Sequence, residues 1–144
     1  MARWTGSLPP NGSPKLKLCI GGILSDSHEL EGIIDTGFTG FLSMPILTAF
    51  PLGLTLSGST SVVLADGSKQ NKLTALGKVI IDEEERIGTV LLEWGQSDIL
   101  IGMDFLRLFE RVLYVHPHMS TCFLVEAAEI ERWAARDANQ QSSS

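Results

Sequence analysis

Apolar and polar residues alternate from Lys15 to Ile20, with Leu16, Leu18 and Ile20 on one side and Lys15, Lys17 and Cys19 on the other. A period of two is that of a strand with one buried face. Ser25-Asp26-Ser27-His28 reads as a turn, and Leu30 to Ile34 as the returning strand, with Glu29 and Glu31 on its wet face. The stretch from Pro45 to Phe50 predicts a short helix, with proline at its first position and Ser43 as its cap. Thr60 to Leu64 is a β-branched strand. The Asp66-Gly67 pair after it is the strongest two-residue hairpin signal in the chain, and Leu73 to Ile81 returns from it. Asp82 to Arg86 reads as a solvated, charged turn from which Ile87 to Glu93 pairs back. Ile99 to Ile101 is apolar throughout, hence a buried strand, closed by Gly102. Helical spacing follows from Asp104 to Phe109. Val112 to Val115 and Cys122 to Val125 form a hairpin around Pro117. Ala127 to Ala138 predicts a helix with Ile130, Trp133 and Ala134 on one face. Many short strands with regular turns predict an all-β fold, closed or sandwiched.

Punctuation sets the expected domain limits. Pro9, Pro10, Gly12, Ser13 and Pro14 mark residues 1 to 14 as a flexible lead-in, and Gln140 to Ser144 as a frayed tail. The folded domain is expected over residues 15–125, with the helix and tail at 126–144. The chain's 144 residues suffice for one core.

Charge and composition remove several function classes. The net charge is −6 and the Lys and Arg residues are scattered, so nucleic acid is not an expected partner. No apolar run approaches the roughly 20 residues that span a bilayer, so no membrane is expected either. Met1 to Ser7 has no apolar stretch behind it, which points to the cytoplasm. In that compartment Cys19 and Cys122 are expected as free thiols. His116-Pro117-His118, near Cys122, falls short of a closed zinc set, and no metal or cofactor is expected.

The chemistry is carried by Asp35-Thr36-Gly37. Alone the tripeptide is weak: ordinary residue usage produces it in roughly one chain of this length in fifteen. Its context raises it. A strand, Gly32-Ile33-Ile34, delivers the carboxylate into a loop punctuated by Gly37 and Gly40. Gly37 lets backbone approach the carboxylate closely, and the Thr36 hydroxyl can tie the loop to a neighbour. Two such carboxylates side by side share a proton, which yields a general base and a general acid for hydrolysis by water. Asp35 is the only aspartate of the chain in this setting. A second copy must supply the other, and a two-fold dimer does so.

Ile34-Asp35-Thr36-Gly37 resembles the active-site loop of the retropepsin-like (clan AA) aspartic proteases. Ile99 to Leu106, through Ile101 and Gly102, resembles that family's second signature, and Leu64-Ala65-Asp66-Gly67 falls where the family places its flap. The likeness is greatest to the prokaryotic clan AA aspartic-protease-like proteins. It covers about residues 15 to 125 and implies a small closed β-barrel, with short helices after the second signature and at the C-terminus. It further implies that Asp35 is catalytic, that Thr36, Gly37 and Phe38 form the active-site loop, and that Ala65, Asp66, Gly67 and Ser68 form the flap tip. The implied partners are a second copy of the chain and a peptide or protein substrate. Three departures stand out. Phe38 occupies a position where most relatives carry a small residue, and its ring is expected either to narrow the cleft or to pack beneath the loop. Thr39 and Met103 stand where retroviral members carry an ion pair that supports the dimer. The chain also continues into a helix where retroviral chains end. The leading function is an aspartic endopeptidase; the alternative is a weakly active or inactive protease-fold binding or dimerisation module.

Overall fold

A computed structural model describes the backbone of residues 3–142 and the side chains of residues 3–139. Two sheets make the molecule. In the larger, β2 (Lys15–Gly21), β3 (His28–Ile34), β8 (Leu100–Ile101), β4 (Leu42–Pro45), β7 (Glu84–Glu93) and β6 (Lys69–Ile81) are neighbours in that order. A further pairing of β2 with β6, Cys19 opposite Ile80 and Ile20 opposite Val79, closes these six strands into a barrel. β5 (Thr55–Val63) lies outside the ring, paired only with β6. The smaller sheet has the order β1 (Arg3–Thr5), β10 (Thr121–Glu126), β9 (Arg111–His116). Among the described residues, three α-helices, α1 (Ile46–Ala49), α2 (Met103–Leu108) and α3 (Ala127–Ser142), and a 3-10 turn at Pro117–Met119 complete the fold. None is long and apolar enough to cross a membrane.

The alternation seen in the sequence is the burial pattern of the barrel. Leu16, Leu18 and Ile20 point inward with Val79, Val90, Leu42 and Ile101, all buried. Each such side chain contributes roughly 1.5–3 kcal/mol by leaving water. An aromatic run continues the core toward the smaller sheet. The rings of Phe41 and Phe105 lie 5.6 Å apart, those of Phe105 and Phe109 4.7 Å, and those of Phe109 and Trp4 5.2 Å.

Several expectations are corrected. The lead-in is not free: Arg3–Thr5 pairs with β10, Trp4 is 3% exposed, and Ser7 bridges to Lys15. One large aromatic suffices, because burying it against Phe109 outweighs the ordering of a short strand. Met1 and Ala2 lie outside the described residues. Ser43 is not a helix cap. It is buried in β4 and donates to Gln96 Oε1 at 3.3 Å, while Pro45 precedes α1 with no side-chain cap. Asp66-Gly67 does turn a hairpin, but through a longer loop: Leu64 N–H donates to Ser68 O, and Gly67 takes φ +85°. The two-residue turn falls instead at Asp82-Glu83, both at positive φ, with Ile81 opposite Glu84. Only these two of the charged stretch act as a turn. Glu84 is ion-paired to the buried Arg111, which also meets Glu126 at 3.9 Å and stacks 4.1 Å above Trp4. Arg86 caps Leu108 O at 2.9 Å and lies over Phe109. Helix α3 runs through Gln140 and Gln141 to Ser142; of the expected tail, Ser143 and Ser144 lie outside the described residues. Cys19 and Cys122 are free, and burial pushes the Cys122 thiol up. His116 Nδ1 accepts from Met119 N–H across the Pro117–Met119 turn.

Candidate active site

β3 ends at Ile34 and the chain enters the loop of residues 35–41. Both ends of the loop are tied to β8 and the residue that follows it. Asp35 N–H donates to Ile101 O at 2.9 Å, and Gly102 N–H donates to Phe41 O at 3.1 Å. Asp35 is half-buried, and its Oδ1 accepts from Gly37 N–H at 2.9 Å. That bond folds the loop back on its own carboxylate. A Cβ on Gly37 would stand 3.2 Å from the same oxygen, so glycine keeps this approach open. Thr36 is exposed beside it.

The loop rests on the start of α2. Met103 N–H donates to Phe38 O at 2.9 Å, and Asp104 N–H is shared between Thr39 O at 3.2 Å and Gly40 O at 3.1 Å. These helix-terminal donors have no partner within the helix, and here the loop carbonyls satisfy them. Phe38 explains the glycines around it. Its ring lies over Gly40 and Gly102. A Cβ on Gly40 would come within 2.7 Å of Phe38 Cζ, and one on Gly102 within 2.6 Å of Phe38 Cδ2. The bulky residue after Gly37 is therefore packed onto the loop's own support. Gly32 serves a similar end one layer down, where Ile101 fills the space of its missing side chain at 2.9 Å.

Gly37, Phe38 and Thr39 also line a groove of about 1130 Å³. Its far wall is Thr60, Ser61, Val62 and Val63 of β5. Lys72 and Glu93 form an ion pair of 2.5 Å at its side, three-quarters or more withdrawn from water. The hairpin tip, Ala65, Asp66, Gly67 and Ser68, lies beyond this wall and is exposed. Asp66 Oδ1 accepts from Ser68 N–H at 2.9 Å and Ser68 Oγ at 2.6 Å; these bonds hold the Asp66 carboxyl below its ordinary 3.8. The structure thus brings Asp35, Thr36, Gly37, Phe38, Ile101 and Gly102 into one unit, and sets the hairpin across a groove from it. Sequence reasoning missed the Lys72–Glu93 pair and the β5 wall. Neither has a motif, and only the pairing of Lys72 with Thr60 places them at the groove.

One carboxylate with one backbone donor can act as a base toward water. It cannot at the same time protonate a carbonyl, so acid–base hydrolysis needs a second group.

A search against protein-family models finds no match, and neither does a search of curated proteins. Solved structures do match. A retropepsin-like aspartic protease from Rickettsia conorii superposes with a TM-score of 0.60 at 14% identity, over 86% of this chain and 90% of that one. The EIAV protease complexed with the inhibitor HBY-793 gives a TM-score of 0.53 at 14% identity, over 67% of this chain and 88% of that one. With its six-stranded closure and the Asp35 loop seated on β8 and α2, the chain has a retropepsin-like fold.

Proposed function

We propose that the chain is one subunit of a homodimeric aspartic endopeptidase, with Asp35 of each copy forming the catalytic dyad. The observation that carries this reading is the Asp35 loop itself. It is half-open to solvent, fixed at both ends by backbone hydrogen bonds, and opens onto a groove walled by an exposed hairpin. Two Asp35 carboxyls brought together share one proton. The ionised one takes a proton from water, and the water oxygen attacks the peptide carbonyl carbon. The protonated one gives its proton to the carbonyl oxygen. Collapse of the resulting tetrahedral diol, with a proton passed to the leaving nitrogen, breaks the C–N bond and returns the dyad. Thr36 and Gly37 shape the loop, Phe38 stiffens it, and Ala65 to Ser68 form the tip of a flap over an extended peptide.

Asp35→Asn is the direct test. Wild type and variant are compared on a peptide mixture at acidic and neutral pH, with and without pepstatin. The expected result is a loss of about 10²–10⁴-fold in cleavage with unchanged circular dichroism. Equal cleavage by both proteins overturns the reading. No cleavage by either favours the alternative, a protease-fold binding module, which draws on Thr39 and Met103 standing in place of a dimer-supporting ion pair.

A further inference from the structure

Helix α3 departs from the body of the protein. Its first residue is anchored by Ala127 N–H to Glu110 O at 2.9 Å, but from Glu131 to Asn139 every described residue is exposed. Between the helix and the outer face of the smaller sheet lies a notch of about 680 Å³. The sheet contributes Arg3, Tyr114, Phe123 and Val125. The helix contributes Ile130 and Trp133, with Glu129, Arg132 and Arg136 around them. Trp133 is 65% exposed and Tyr114 50%. A tryptophan left in water beside two further aromatics is an interface signal, since such rings bury large area at small entropic cost.

Charge identifies the occupant. Glu129, Arg132, Trp133 and Arg136 follow a spacing of three, four and seven residues, so they form one stripe. Arg132 and Arg136 have no ion pair among the described residues, and neither has Glu129. The stripe is acidic at its start and basic at its end. Run antiparallel against its own copy, centred between Arg132 and Trp133, it sets Glu129 opposite Arg136 of the second copy and Arg136 opposite the second copy's Glu129. The same register puts each Trp133 ring against an Arg132 guanidinium, a favourable cation–π pair. A two-fold interface requires this self-complementarity.

We propose that α3 is the dimerisation element, pairing antiparallel with α3 of a second copy so that each Trp133 enters the notch of the other. The position suits the site. Thr36, next to Asp35, lines one groove with Ala127, Ala128 and Glu131, which lie on the face of α3 turned from the notch, so the helix root borders the active-site loop while the stripe stays free for a second copy. This interface replaces the absent pair at Thr39 and Met103. It rests on the homodimer reading above, for which the site is incomplete without the second copy.

The test is sedimentation of the full chain across about 1–100 μM, with peptide cleavage measured in parallel. Wild type is expected as a dimer. Trp133→Ala should raise the dissociation constant about 30-fold or more, and Arg136→Glu about tenfold. The paired reversal of Glu129→Arg with Arg136→Glu should restore dimerisation, which a folding defect could not do. Circular dichroism checks helicity. A wild-type monomer throughout, or a dimer indifferent to Trp133→Ala and Arg136→Glu, overturns the proposal. In the second case, persistent Asp35-dependent cleavage leaves the protease reading standing. A dimer that weakens as expected but never cleaves peptide supports this interface and sinks the protease reading.

Discussion

The Asp35 loop and the β5–β6 hairpin face each other across one groove and are built on opposite principles. The loop is over-determined. Backbone bonds join it to β8 and to the start of α2, and the Phe38 ring fills the space left by two glycines. The hairpin is held by its own ladder, from Thr55 opposite Leu76 to Val63 opposite Lys69, and nearly all of β5 is exposed. Val63 and Leu56 are both more than half exposed. A group that must meet a substrate atom within a fraction of an ångström needs the first kind of support. A segment that must admit and release a chain needs the second, because low-stability regions open most readily. Amide exchange should show the same order, slow at Met103 and Asp104 and fast at Leu64 and Gly67.

Substitutions at two glycines separate the regions further. Gly102→Ala has the larger expected effect. The new methyl would press on Gly40 O, on Phe38 O at 2.7 Å and on the Phe38 ring. The neighbours are mostly backbone and cannot yield. We expect a loss of about 2–3 kcal/mol in a urea melt and a larger proportional loss of cleavage, as the loop lifts from α2. A stability change below about 0.5 kcal/mol would show that the loop is less tightly seated than described.

Gly67→Ala probes the hairpin. Nothing lies within 4 Å of the added methyl, so the cost is conformational alone, from φ +85°. About 1 kcal/mol is expected, confined to the hairpin and visible as faster exchange at its tip. A global loss as large as that at Gly102 would erase the distinction.

The smallest effect is one of pH. Asp66 titrates below 3.8 in the fold because Ser68 donates to its charged form. A group lowered in this way steadies the folded tip above its unfolded value, about pH 4, and that contribution fades as pH falls through the lower folded value. Carboxyl chemical shifts should place the Asp66 midpoint below 3.8, and Ser68→Ala should move it up toward that figure. An unmoved midpoint would remove the Ser68 hydroxyl as a cause and leave its backbone N–H.

Much of the active-site loop was readable from the chain because its parts are local. A strand, then Asp35, then Gly37, with a second apolar run ending at Gly102, carry their meaning in short spacings. Phe38 was readable as a departure with two outcomes, and the sequence did not choose between them. Whether its ring narrows the groove or packs on Gly102 depends on a residue far along the chain. The Asp66-Gly67 signal gave a hairpin and missed its loop length, while Asp82-Glu83 adopted the tight turn without glycine. There the register of β6 against β7, set by buried residues such as Val79 and Val90, overrode the turn's own preference.

The amino-acid order by itself determined the strands, the hairpins and the carboxylate loop, since periodicity and turn chemistry act between near neighbours. Tertiary structure alone decided the closure of β2 on β6, the capture of Trp4 beneath Arg111, the groove beside Lys72 and Glu93, and the notch under α3. Each of these joins residues distant in the chain, and burial ties them without leaving a local pattern to read.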